Sequence, residues 1–404
     1  MTIWYGELSA DYDLPDYEEC ELEEIDLDGD CSSNVGMEMD LMNSDLLPGL
    51  PEDVAFECLL RVSITAFPQL KGVCRRWGQL VSSKDFFEER KKAGATRNCI
   101  CIVQTLPEIQ EPVGSKHTKA PEFGITVFDW QKQNWSRLPC IPEFPIGLPL
   151  FCRLIGLDGK LLVLGGWHPE SYEALRTVYL YDFTSQAWQR CADMPSCRSF
   201  YACGVVDGQI FVAGGHDDNK NALDTAEVYN LAEERWEVLP KMSEARDECG
   251  GIVLDGKFLV ISGYGTNAQG QFSSSADCYD PITGEWTRME GLWAEGVTPG
   301  PFTVCQGQLF AVQKQNLLRF VKESGTWTVV DRIPGDGRFA TWITPTSDNG
   351  LVIMTLPSTT DRSKALVHRR VAGSLTGDER SVWVPVETTE MFSGLGRVAC
   401  TIDI

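Results

Sequence analysis

Apolar residues in this chain come in short runs broken by paired turn residues, and the clearest stretch runs from Arg198 to Pro240. One apolar run ends at Val206, the pair Asp207-Gly208 follows, and a second run leads into Gly214-Gly215 and a polar loop. A third run closes at Tyr229-Asn230, and a fourth carries Trp236. Four short strands are expected, because Asp-Gly between alternating apolar segments supplies the two positive-φ residues of a tight hairpin. The unit recurs on both sides. Upstream stand Asp158-Gly159, Gly165-Gly166, Tyr181-Asp182 and Trp188; downstream stand Asp255-Gly256, Ser262-Gly263, Tyr279-Asp280 and Trp286.

A period of about 50 residues with a small-residue pair, an aromatic-Asp pair and a tryptophan in register resembles the kelch repeat. One four-stranded unit cannot bury both faces of its sheet, so several units pack radially as blades of a β-propeller. Beyond Trp286 the repeat is followed by its hairpins: Gln306-Gly307 before QLFAV with Trp327 later, then Asn349-Gly350 before LVIMTL with Trp383 later. Gln313-Lys314 and Leu356-Pro357 stand where glycine pairs are expected, so these two units are degenerate. Upstream of the first clear repeat, CICIVQ (99–104), GITVFDW (124–130) and Trp135 supply three strands of a unit lacking its first strand. The run RVACTIDI (397–404) can supply it, which would close the ring and remove exposed sheet edges. The reading is a mainly β protein with a propeller over 97–404, of six blades, with five and seven as neighbouring counts.

Residues 46–93 carry a different period. After Leu50-Pro51, the acidic pair Glu52-Asp53 suits a helix start, and Val54, Cys58, Leu59 and Val62 recur at helical spacing. A break at Ser63 to Thr65 leads to Phe67-Pro68, and Leu70, Val73, Cys74, Trp77, Leu80 and Val81 continue at spacings of three and four. This small all-α module has more apolar positions than its own interior needs, so it is expected to dock something. Leu50-Pro51-Glu52-Asp53-Val54, Cys58-Leu59-Leu60-Arg61, Val73-Cys74-Arg75-Arg76-Trp77 and Leu80-Val81-Ser82-Ser83 with Phe86 resemble an F-box. An F-box followed by kelch repeats resembles the plant F-box/kelch substrate receptors of SCF-type ubiquitin ligases, and GLPLFCRL (147–154) and Arg246-Asp247-Glu248-Cys249 extend the likeness.

The resemblance implies a Skp-type adaptor as partner, leading to a cullin and its RING subunit, with Leu50, Pro51, Val54, Leu59 and Trp77 as the adaptor-facing residues. It also implies a target protein bound for ubiquitination and proteasomal degradation, with phenylpropanoid-pathway enzymes such as phenylalanine ammonia-lyase as the first class and cytokinin response regulators as the alternative. The Leu-Pro pair common near the end of the first F-box helix is replaced by Val62-Ser63-Ile64, which leaves the turn between helices open. Arg75-Arg76 and Arg90-Lys91-Lys92 read as solvated helix faces rather than import signals.

Charge narrows the class of partner. The net charge of −23 argues against nucleic acid, whose phosphates call for clustered Lys and Arg. Residues 1–45 hold 15 Asp or Glu and no Lys or Arg, and such a segment is expected to be a disordered acidic tail. Fifteen cysteines without C-x-x-C spacing, and no apolar run near 18 residues, read as reduced thiols in a cytoplasmic or nuclear protein with no membrane span.

Enzyme chemistry has weak support in the residues. His117, His168, His216 and His368 lie far apart, although His168 and His216 each follow a glycine pair and are placed to share the propeller mouth. Neither G-x-S-x-G nor G-x-x-x-x-G-K-[ST] occurs. No catalytic residue, cofactor or metal is assigned. The face bearing the loops after each second strand is the candidate target surface, offering Trp167, His168, His216, Asp217 and Tyr264, with the loops Asp218 to Asn221 and Thr266 to Gln271. Arg153, Arg198 and Arg246 recur at the start of each first strand and read as structural pairing inside the repeat. The alternatives to a ligase receptor are a propeller enzyme or small-molecule binder, and an F-box scaffold acting outside a ligase.

Overall fold

The computed structural model describes residues 45–107, 122–334, 340–355, 366–371 and 382–404. The acidic tail up to Ser44, His117 and Leu356-Pro357 lie outside the described residues. Six four-stranded antiparallel sheets form the blades of a propeller. Blade 1 runs Gly396–Asp403, Asn98–Thr105, Phe123–Asp129, Asn134–Arg137 from the centre outward; blade 2 runs Arg153–Leu157, Lys160–Trp167, Ala174–Asp182, Ala187–Cys191. Blades 3 to 6 begin with Ala202–Val206, Gly250–Leu254, Phe302–Cys305 and Ala340–Pro345, and these first strands, with Arg153–Leu157 and Gly396–Asp403, form a closed inner ring.

The hairpins take the expected form. Asp158 and Gly159 (φ 48° and 70°), Asp207 and Gly208 (48° and 75°) and Asp255 and Gly256 (51° and 72°) all occupy the left-handed region. The last strand supplies the inner strand of blade 1, pairing Cys101 with Cys400 and Asn98 with Asp403. In blade 5 the missing glycines have a physical reason. Gln313 pairs directly with Asn316 across the turn Lys314-Gln315, so no long loop crosses there and no glycine pair is needed.

The fourth-strand tryptophans do more than pack. The indole N–H of Trp188 donates to Pro139 O at 2.8 Å, Trp236 to Ala192 O at 2.9 Å, Trp286 to Pro240 O at 2.8 Å and Trp327 to Leu292 O at 2.7 Å. Each bond reaches the chain leaving the preceding blade, and Trp135 does the same by donating to Glu387 O at 2.9 Å across the closing seam, whereas the indole N–H of Trp383 in blade 6 has no such acceptor among the described residues.

Two arginines hold the interiors of blades 3 and 4. Arg198, fully buried, bonds Gly214 O at 2.9 Å and Glu227 at 2.7 Å; Arg246, likewise buried, bonds Ser262 O at 2.8 Å and Asp277 at 2.8 Å. This is the structural pairing expected of them. Arg153 is out of their register: it lies inside the first strand of blade 2 and donates to Tyr201 O of the next blade at 2.8 Å.

The helical module comprises α1 (Glu52–Leu60), a 3-10 turn (Ile64–Ala66), α2 (Phe67–Val73), α3 (Arg75–Ser82) and α4 (Lys84–Lys92). Pro51 precedes α1, and the Ser83 hydroxyl accepts the Phe86 amide at 3.2 Å to cap α4. Arg90 departs from its expected solvated face. Its guanidinium is buried, donates to Leu60 O, to Val62 O at 2.8 Å and to Ala95 O at 2.9 Å, and lies 4.8 Å from the Phe67 ring centre. It therefore anchors the turn that Val62-Ser63-Ile64 makes without the usual Leu-Pro.

Leu59, Leu60, Ile64, Phe67 and Phe86 share one buried cluster with Cys99, Val127, Phe183 and Ile404 of the propeller. Lys71 reaches Thr184 at 2.8 Å, Lys84 pairs with Asp158 at 3.2 Å and Lys91 with Asp403 at 3.1 Å. The helices thus sit against the propeller face that carries the turns between first and second strands. Among the described residues no helix is long and apolar enough to cross a membrane.

Replacing Arg246 by Met should strand the Asp277 carboxylate in a fully buried position. A destabilisation of about 3–5 kcal/mol is expected in urea unfolding, as for other broken buried pairs.

Candidate functional site: the propeller mouth and the helical face

The two candidate surfaces lie at opposite ends of the blade strands. Strand Lys160–Trp167 starts at the turn beside the helices and ends at Trp167 on the far face, seven steps of about 3.3 Å, or about 23 Å, away. Anything held at the mouth is separated from anything held by the helices by the thickness of the propeller.

On the helical face, Leu50 (40% exposed), Pro51, Val54 (43%) and Cys58 present apolar surface around α1, and Val73 (60%) is exposed at the end of α2. Two residues expected there are otherwise engaged. Leu59 is 2% exposed in the shared core, because at its register it turns inward with Ala55. Trp77 is half-buried and its indole N–H donates to Leu46 O at 2.8 Å, tying the segment ahead of α1 to α3.

At the mouth, the connections entering blades 2, 3 and 4 place Phe151, Phe200 and Glu248 at equivalent positions, all left-handed, with φ of 58°, 56° and 50°. Bulky residues at positive φ are strained, and strain of this kind concentrates where a side chain must be aimed. Phe151 and Phe200 pack 4.2 Å apart between ring centres, and Trp167 lies 5.3 Å and 5.7 Å from them. All three residues are only partly buried.

His216 sits beneath this platform, 5.5 Å from Phe200 and 5.7 Å from Trp167. Its Nε2 is 2.8 Å from the Ser199 hydroxyl and its Nδ1 is 2.9 Å from the Asp247 carboxylate. His168 does not join it. That ring packs against Phe144 at 5.6 Å, and its Nδ1 accepts the amides of Glu170 and Ser171, both at 3.2 Å. Asp217 closes its own loop by accepting the amides of Asn219 and Asn221 at 2.9 and 2.8 Å, and Tyr264 is buried against Phe272. Among the described residues, no three His, Cys, Asp or Glu side chains are grouped to hold a metal.

The family model for the F-box domain matches residues 47–89, and that for the KLHDC2/KLHL20/DRC7 Kelch-repeats domain matches residues 114–320. Among Arabidopsis thaliana proteins, F-box/kelch-repeat protein At1g80440 is 36% identical, with 89% of this chain aligned to all of the relative. F-box/kelch-repeat protein At1g15670 is 35% identical with the same coverage, and F-box/kelch-repeat protein SKIP20 is 33% identical over 62% of this chain and 68% of its own length. The chain belongs to the F-box/kelch-repeat family. A solved structure titled "Structure of YjhT" shares the fold, with a TM-score of 0.52 at 13% identity over 65% of this chain and 91% of that one.

Within this F-box/kelch-repeat protein, Ser199, His216 and Asp247 form a hydrogen-bonded chain with the partner order of a hydrolase triad. The serine is 0% exposed, so no scissile carbonyl reaches its oxygen. What the chain does is join the connection entering blade 3, the loop after the second strand of blade 3 and the connection entering blade 4, and so fix the platform above it. Sequence reading missed Phe151, Phe200 and Ser199. Their signal was the equivalent placement of Phe151 and Phe200 relative to the following first strand, visible only once the blades are superposed.

The glycines beneath the mouth are sterically required. Gly215, at φ 79°, would press a Cβ into Ser199 O and bring it 2.8 Å from the Tyr201 Cβ, whereas Gly208, at φ 75°, faces open space. Gly208→Ala is expected to cost about 1 kcal/mol from backbone strain alone, and Gly215→Ala about 3 kcal/mol, by thermal unfolding of both variants. Glu248 supplies a pH test. Burial raises its carboxyl above the ordinary range, the Tyr264 hydroxyl bond works against this, and Asp247 adds to the rise. The charged form is thus penalised in the fold at neutral pH and relieved on protonation. Glu248→Gln should be more stable than the parent at pH 7, with the difference shrinking as pH falls through the raised folded value and gone once pH is below the unfolded carboxylate range.

Proposed function

We propose that this protein is the substrate receptor of an SCF-type ubiquitin ligase, non-catalytic itself. The F-box binds a Skp-type adaptor, and through it the cullin and RING subunit, while the propeller mouth holds a target protein for ubiquitination and degradation. The observation that supports this reading best is the exposed apolar edge of Leu50, Pro51, Val54 and Val73 on helices locked into the propeller core, at the end opposite the aromatic mouth. A receptor contributes proximity rather than bond chemistry, so a rigid joint between its two binding ends sets where the target stands relative to the ubiquitin-carrying enzyme. Leu59 supports the module from within and Trp77 sets its entry segment. The site of action is the cytoplasm or nucleus, and the first target class to test is an enzyme of phenylpropanoid synthesis such as phenylalanine ammonia-lyase.

The test is co-purification of the full chain with a Skp-type adaptor beside a Leu50→Ala/Pro51→Ala variant. Both substitutions lie on exposed positions, so the variant is expected to keep the parent melting temperature and to lose adaptor capture by about tenfold or more. Absence of capture by the folded parent chain would overturn the ligase reading.

A further inference from the structure

We infer that the mouth of blades 2 and 3 recognises a basic, arginine-bearing segment of its protein partner. This rests on the reading of the mouth as the target face and deepens it by naming the chemistry of the target.

Three observations carry it. The first is the platform itself: Phe151, Trp167 and Phe200 are only partly buried, and two of them are held so by left-handed backbone. Ring faces carry partial negative charge and accept a cation, best of all a planar guanidinium. The second is that the protein's own cation is drawn there. Lys220, in left-handed conformation (φ 59°) at the tip of the loop that Asp217 closes, holds its ammonium 5.7 Å from the centre of the Trp167 ring. The third is the rim. Glu170 and Glu173 are exposed on the loop that follows Trp167, with Tyr172 53% exposed between them. The neighbouring loop adds the charges of Asp217 and Asp218. Their oxygens are held by amides, Asp218 taking Ala174 N at 2.8 Å, which fixes the negative field in place. Carboxylates around an aromatic floor are complementary to a cationic side chain and repel an acidic one.

The chain's net charge of −23 would attract any cation weakly, so the test separates the site from that background. Binding of a fluorescein-labelled peptide of alternating arginine and serine to the full-length protein is read by anisotropy, beside the same peptide with glutamate for arginine. Trp167→Ala leaves the charge unchanged and should weaken the arginine peptide about tenfold. Glu170→Lys/Glu173→Lys should weaken it similarly, while Glu233→Lys/Glu234→Lys, the same charge change at a third-to-fourth-strand turn on the helical side, should have little effect. Lys220→Ala should strengthen binding by freeing the Trp167 face, an outcome that a purely structural Trp167 would not produce.

The proposal is overturned if binding survives Trp167→Ala, if the remote pair weakens it as much as the rim pair, if the glutamate peptide binds better, or if neither peptide saturates. Adaptor capture is measured on the same preparations. Peptide failure with capture intact overturns this inference alone, and loss of capture overturns the ligase reading.

Discussion

The structure depends on one strand pairing, that of Gly396–Asp403 with Asn98–Thr105. Each blade has two apolar faces and is stable only between neighbours, so an open ring would expose sheet faces and edges at both ends. The pairing joins residues about three hundred positions apart and costs the loop-closure entropy of nearly the whole propeller. What offsets it is the burial of Ile100, Ile102, Phe128, Trp342 and Met354 across the seam between blades 1 and 6, with Trp135 bonded to Glu387 at the outer rim.

The same strand pairing anchors the helices. Arg97 and Ile404 exchange backbone hydrogen bonds at 2.7 and 2.9 Å, Asn98 donates to Asp403 at 3.0 Å, and Lys91 reaches Asp403 from α4. Arg90 binds the carbonyl of Ala95, immediately before that seam, and the turn after α1 at once. Closing the ring and setting the helical module are therefore coupled events. That coupling is what a receptor needs if its two ends are to keep a constant separation.

At the mouth, stability and presentation compete. Phe151 and Phe200 accept an unfavourable backbone conformation, and Gly166 and Gly215 leave room for the connections that carry them, residues 150–152 and 199–201, to lie close by. The Ser199–His216–Asp247 chain is hydrogen-bonded throughout and buried, and it braces the connections that carry the platform. Blade 5 has no comparable feature, since its second and third strands meet in a tight turn, and the longer loops on this face among the described residues are those of blades 2 to 4.

The repeat, the strand order within blades, the six-fold count and the helical module were legible in the sequence because each rests on local signals: turn pairs with positive φ, periodic apolar runs and helix-start residues. Arg198 and Arg246 were also readable, since their partners lie inside their own repeats. Tertiary structure decided what depends on register and on distant chain. Leu59 and Val54 share one helix and the same apolar character, yet only the docking of α1 on the propeller sends one inward and leaves the other exposed. Arg90 looks like surface charge until its carbonyl partners, 28 and 30 positions upstream, are folded around it. Trp167, His216 and Phe200 become one site only when neighbouring blades are set side by side, because the contacts that define a mouth run between repeats and leave no periodic trace within one.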